Sequence, residues 1–198
     1  CMGAYGALKL AIKHPHKFGY VAALSPAHFP EETVLACAGL MAWEDGMWDP
    51  HPPGPSLYDP TKPFKFLNNT IYGCATAWLP NPENPPFYVD LPFSYTSEGP
   101  VLNNELMAKW NAHSLFALVS SNKPNLKKLK GIYIDCGVYD ELGMTVPNQM
   151  LNQILLDMNV KHDFEFYEGT HISHLYNNLG NVFVDFSQKI SFNPNKHH

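Results

Sequence analysis

The sequence predicts an α/β fold with a parallel sheet, interrupted by a long insertion rich in proline and aromatic residues. Three observations carry that expectation. Short apolar runs at 20–24 and 131–135 mark two strands, and 163–167 reads as a third. Helical periodicity occupies 3–13, 147–159 and 174–190. Of the 18 prolines, 14 fall between Pro26 and Pro100, where they break any α/β alternation.

Taken in order, Gly3–Lys13 reads as a helix that stops near His14-Pro15, because the residue before proline avoids the helical region. Small residues at 3, 4, 6 and 7 predict tight packing of this helix on a strand. Tyr20–Leu24 (Tyr-Val-Ala-Ala-Leu) is a continuous apolar run, expected to be a strand buried on both faces. The segment from 26 to 125 reads as a loop-rich insertion, too rich in proline for regular sheet or long helix. Short helices are expected at Pro30–Met41 and Asn104–Ser121, with turns at Asn81-Pro82 and Asn84-Pro85. Its Trp43, Trp48 and Trp78 argue against a disordered linker. Gly131–Asp135 is a second strand and Asp163–Tyr167 a third. Between them Met150, Leu151, Ile154, Leu155 and Met158 mark the helix Pro147–Asn159. A closing helix, His174–Ile190, sets Leu175, Leu179, Phe183 and Phe186 on one stripe. Strand–helix–strand succession calls for right-handed parallel crossovers. Three strands are few for such a sheet, and the start at Cys1-Met2-Gly3 resembles the middle of a chain. An upstream half of the fold is therefore expected to be missing. The domain reading is 1–25 core, 26–125 cap or lid insertion, and 126–198 C-terminal core.

Composition narrows the function classes. Lys and Arg number 13 against 18 Asp and Glu, a formal charge of −5 without the basic footprint of a nucleic-acid binder. No run of eighteen apolar residues predicts a membrane span. The cysteines Cys1, Cys37, Cys74 and Cys136 form no C-x-x-C pair, and no H-E-x-x-H pattern occurs. No cofactor and no metal are expected. Compartment and oligomeric state are not legible.

The chemistry lies at three places. Cys1 is followed by Met2, then Gly3, and a helix of small residues, which matches the second half of the nucleophile elbow G-x-S-x-G with Cys in the Ser position. Cys136-Gly137-Val138-Tyr139-Asp140-Glu141 follows one strand, and Glu168-Gly169-Thr170-His171 follows the next. Catalytic groups of open α/β sheets sit beyond strand carboxyl ends. The order nucleophile, acid, His is that of α/β-hydrolases.

These residues give the chain its resemblance to the esterase branch of the α/β-hydrolases that includes esterase D (S-formylglutathione hydrolase), feruloyl esterase domains and mycolyltransferases. The matching stretches are Met2–Leu8, Ala22-Ala23-Leu24-Ser25-Pro26, Asp135-Cys136-Gly137 with Asp140, and Gly169-Thr170-His171. The resemblance implies an α/β-hydrolase fold, of which this chain holds the C-terminal part of a mostly parallel sheet, helices on both faces and a cap. It implies Cys1 as nucleophile, Asp140 as acid, His171 as base and the Met2 N–H as an oxyanion-hole donor. The second donor belongs to a loop upstream of this chain. The implied partner is a small-molecule ester or thioester, processed through an acyl-enzyme. An acyltransferase and a non-catalytic binding relative are the alternatives. Cys in place of the usual Ser departs from the pattern. It fits a thiol nucleophile, as in dienelactone hydrolases, and equally a replaced Ser.

Other residues compete for each role. Of the ten histidines, His14 and His16 lie at a helix end, His28 and His51 in the insertion with a solvated role, and His174 one turn past His171. His113 and His162 lack context, and His197 and His198 are at the tail. Asp135 is expected to bond loop amides, and Glu141 to point away. Tyr5 is expected to pack against the core. The aromatics Trp43, Trp48, Trp78, Phe87, Tyr88 and Phe93 either pack the insertion or line a pocket. Asn68-Asn69-Thr70 matches a glycosylation triplet.

Overall fold

The computed structural model describes residues 1–47 and 65–189. Its elements in order are α1 (Met2–Lys13), β1 (Tyr20–Leu24), α2 (Glu31–Met47), α3 (Phe66–Trp78), β2 (Phe93–Thr96), β3 (Gly99–Leu102) and α4 (Asn104–Asn111). There follow α5 (Leu115–Ser121), α6 (Lys123–Leu126), β4 (Gly131–Gly137), α7 (Thr145–Asp157), β5 (Asp163–Tyr167) and α8 (Leu175–Lys189). The chain divides into two compact units, Cys1–His28 with Leu115–His198, and Phe29–Ser114.

In the first unit a three-stranded parallel sheet has the order β1-β4-β5. Leu24 pairs with Asp135, Asp135 with Glu165, and Gly137 with Tyr167, so all three strands end at one edge. One face carries Val21, Ala23, Ile132 and Ile134, packed with Leu8 and Ile12 of α1, Val119 of α5, and Leu151 and Leu155 of α7. Each fully buried aliphatic side chain there contributes about 1.5–3 kcal/mol. The other face meets α8, where Phe186 lies 5.1 Å from Tyr20 between ring centroids. Helices thus cover both faces.

Several expectations are corrected in detail. β1 alternates rather than being buried on both faces: Val21 and Ala23 are buried, and the neighbours facing α8 are only half so. In α1 the glycines do not make the close approach. A side chain at Gly3 or Gly6 would meet nothing, while Ala4, Leu8, Ala11 and Ile12 form the buried stripe. The α8 stripe is rotated from the expected one. Asn178 and Val182 are buried, whereas Leu179 and Phe183 are 51% and 75% exposed. The cause is polar, since Asn178 Nδ2 donates to the buried Asp135 Oδ2 at 2.8 Å and draws that side of the helix inward. Ile190, at the expected end of this helix, lies outside the described residues.

The second unit is more regular than its proline content suggested. α2 runs 17 residues and α3 13, and β2 and β3 form an antiparallel hairpin. Both helices occupy proline-free stretches that an average over the segment conceals. Met41, Ile71, Ala75, Met107 and Trp110 form its core. The helix expected over Asn104–Ser121 is two helices, α4 and α5, separated by a turn at 112–114 where the chain passes from one unit to the other. Glu44, buried, accepts the Leu67 and Asn68 N–H groups and so caps α3. Asn68 is 1% exposed and donates to Glu44 and Met41, so the glycosylation triplet is not open to modification.

Candidate active site

Cys1 sits at the N-terminus of α1 with no side-chain capping bond, and its thiol is exposed. Its N donates to Leu24 O at 3.0 Å, and its O accepts from Ala27 N at 3.3 Å. Those contacts hold the residue beside the carboxyl end of β1. Met2 opens the helix and is exposed, and N–H groups of a first turn have no partner within the helix.

Asp140 and His171 are in direct contact. His171 Nδ1 lies 2.7 Å from Asp140 Oδ2, and both side chains are nearly inaccessible. The other carboxylate oxygen accepts from Leu142 N at 2.9 Å and Met144 N at 3.4 Å. With Asp140 charged, Nδ1 carries the hydrogen of this bond, which leaves Nε2 as a bare acceptor. His171 Nε2 is buried and has no hydrogen-bond partner among the described residues, the Cys1 thiol included.

The His171 backbone is fixed as firmly as its ring. Its N–H donates to Glu141 Oε2 at 2.9 Å, and its carbonyl accepts from Ser25 Oγ at 3.1 Å and Tyr167 OH at 3.3 Å. Glu141 therefore points toward the base loop, contrary to expectation, and the His171 N–H bond holds its carboxyl below the ordinary range. Ser25 is 2% exposed and has φ of 46°, a left-handed conformation unusual outside glycine. Two bonds hold it there: its N–H donates to both Asp135 O and Asp135 Oδ1. Asp135 thus bonds loop amides, and burial raises its pKa. The acid loop and base loop are zipped by Val138 N to Tyr167 O and Tyr139 N to Gly169 O, both 3.0 Å. A Cβ at Gly137 would collide with the Gly169 and Thr170 carbonyl oxygens, so only glycine allows that approach.

A second buried network lies behind the acid. Asn148, wholly buried, donates to Pro26 O and Met144 O and contacts Cys136 Sγ. Its Oδ1 is 3.0 Å from His28 Nε2. His28 is buried rather than solvated, stacks on Phe116, and has its pKa pushed down to about 4 by burial, against the pull of Asn148. Sequence reasoning missed Ser25, Cys136, Asn148 and the buried role of His28. The one local signal was Ser25-Pro26 directly after an apolar strand. His174 stacks on Tyr167, His113 on Trp78, and His162 bonds Asn152. Tyr5 packs against the core as expected. Trp48 and His51 lie outside the described residues. Within the Phe29–Ser114 unit, Tyr72, Phe87, Val89, Phe93 and Asp90 line a cleft of about 440 Å³. Among the described residues no helix is long and apolar enough to cross a membrane.

A protein-family model described as "Esterase: Putative esterase" matches residues 1–191. No curated protein matches. Solved structures are also similar, two of them as follows. One is a ferulic acid esterase at 17% identity and TM-score 0.46, with 93% of this chain covering 47% of that one. The other is a thioesterase domain from the curacin biosynthetic pathway at 15% identity and TM-score 0.36, with coverage of 94% and 64%. This chain therefore spans about half the length of the ferulic acid esterase. With a match that runs nearly from end to end, the chain belongs to the family described as "Putative esterase".

Proposed function

We propose that this chain carries the catalytic residues of a carboxylic ester or thioester hydrolase, with Cys1 as nucleophile, His171 as base and Asp140 as the acid. The observation that carries the reading is the 2.7 Å bond from His171 Nδ1 to Asp140 Oδ2, which commits one ring nitrogen and leaves Nε2 as a buried, unpaired base. In the proposed reaction Nε2 takes the Cys1 proton, and sulfur attacks the substrate carbonyl carbon. The Met2 N–H stabilises the oxyanion, and imidazolium returns the proton to the leaving alcohol or thiol. Water, deprotonated by the same nitrogen, then hydrolyses the thioester. Asp140 stays ionised throughout and offsets the imidazolium charge. The N-terminus of α1 and a charged imidazole both favour thiolate. A single oxyanion donor is worth about 10²–10³ in turnover. The inserted segment, 26–125 by sequence, is proposed as the cap that selects the substrate.

The test is p-nitrophenyl acetate hydrolysis by the full-length protein as Cys1 and as Cys1→Ser. Turnover or an acyl burst in either supports the reading, and neither in both rejects it. An added alcohol acceptor separates hydrolysis from acyl transfer. The competing non-catalytic reading draws on Cys at a position where the family mostly uses Ser. It predicts a Cys1 alkylated no faster than free cysteine and unaffected by His171→Ala.

A further inference from the structure

Cys136 lies near the end of β4, just before the acid loop, with 0% exposure, and no step of the proposed reaction uses it. Its sulfur lies 3.6 Å from two acceptors, Asp140 Oδ2 and Gly137 O. Only one can hold the thiol proton. Gly137 O already receives Thr145 Oγ1 at 3.0 Å and Asp140 N at 3.3 Å, which fills both its lone pairs. Asp140 Oδ2 receives His171 Nδ1 and no other nitrogen or oxygen donor among the described residues. The carboxylate oxygen is also the charged acceptor, and hydrogen bonds to charged groups are the stronger ones. Burial, and then the Asp140 charge, push the Cys136 thiol up to about 12, so the proton is present to donate. The charged or titratable groups around it are Asp135 and Asp140, with Glu141 beside Asp140 and His171 across from it.

We propose that Cys136 is a positioning residue, its thiol proton held on Asp140 Oδ2, the oxygen that also receives His171 Nδ1, while Asn148 at 3.7 Å braces the sulfur. Two donors then share one oxygen. The thiol weakens the pull of Asp140 on the imidazole and fixes which carboxylate oxygen faces it. This inference deepens the triad reading and rests on it for its catalytic meaning, although the hydrogen bond stands without it.

The test compares Cys136→Ala and Cys136→Val in the full-length protein. Both delete the donor, but Ala leaves a void and Val fills it. The readout is the proton resonance of His171 Nδ1–H. The expected result is a downfield move of similar size in both variants, since Oδ2 loses its second donor and bonds the imidazole more tightly. A resonance unchanged in both, or moved in Ala and restored by Val, assigns Cys136 to packing and overturns the proposal. If either variant fails to fold, the S–H infrared stretch of the unsubstituted protein decides. A Cys136 stretch that moves in Asp140→Asn supports the bond, and one that does not move overturns it. Cys1 alkylation, measured separately, tests the triad. An inert Cys1 with the resonance moved downfield in both variants rejects that reading and leaves this one standing.

Discussion

Acid should strip stability from the unit containing the sheet, and His28 sets the window. Its imidazole is 4% exposed, its pKa stands at about 4 against an ordinary 6.5, and the first cause is burial. A base with a depressed folded pKa contributes stability that is full above the unfolded value. That stability is lost as pH falls toward the folded value, because the unfolded chain takes up the proton first. Between about pH 7.5 and about pH 5 the difference in proton uptake amounts to about 2 kcal/mol. The matching perturbation is His28→Gln, which keeps an N–H for Asn148 Oδ1 and cannot titrate. Tryptophan emission is the wrong probe: Trp43, Trp78 and Trp110 belong to the other unit, and Trp48 lies in the same stretch of the sequence. Amide exchange at Leu151 and Leu155 of α7, which pack beneath the sheet, reports the right one. The native protein should lose about 2 kcal/mol more than His28→Gln over that range. Parallel losses in the two proteins would refute the assignment of a buried neutral imidazole.

Ser25 tests the frame of the base loop: Ser25→Ala keeps the left-handed strain and loses the bond to His171 O, so it should cost about 1–3 kcal/mol in urea unfolding. Ser25→Gly should recover about 1 kcal/mol of that by relieving the strain, and an Ala variant as stable as Gly contradicts the account. Gly137→Ala should displace the Gly169-Thr170 carbonyls, lower thermal stability and shift the His171 Nδ1–H resonance; an unchanged resonance counts against the close approach. Glu141 has a depressed pKa, so its hold on the His171 N–H is present above the ordinary 4.5 and lost as pH falls below it. Protection of the His171 amide, corrected for the intrinsic exchange rate, should fall over that acid range, and Glu141→Ala should abolish that fall.

What was legible in the sequence follows from range. β1 and β5 are read to the residue: β1 is an apolar run, β5 a short segment rich in aromatic residues, and both are local signals. α7 starts two residues before the expected Pro147, since proline in a first turn forfeits an N–H that has no partner anyway. β4 runs on through Cys136 and Gly137 because Gly137 admits the base loop, a contact with residues some thirty positions away that no local pattern encodes. The α8 stripe was misplaced because hydrophobicity alone was weighed, whereas an Asn–Asp bond across 43 positions chose the buried face. Asp140 and His171 are singled out by their place after strands, and their contact is a matter of tertiary geometry. Ser25 and Asn148 were missed because each acts through partners distant in sequence, such as Ser25 with His171 at a separation of 146, whereas Cys136 meets Asp140 only four positions on and was missed because a buried cysteine carries no pattern of its own.

The site is a case of a base held from several sides by different elements. Glu141 takes the His171 N–H, Ser25 and Tyr167 take its carbonyl, and Asp140 takes Nδ1, so the one polar atom left to the ring is Nε2. Burying that atom unpaired costs about 1–3 kcal/mol. A ring serving only the fold gains nothing from that cost, since turning Nε2 outward would let water satisfy it. The bonds from Asp140, Ser25 and Tyr167 instead prevent the ring from turning. The expenditure makes sense if a donor arrives during function, and a thiol or hydroxyl beside the end of β1, where Cys1 is held, is the donor the triad reading supplies.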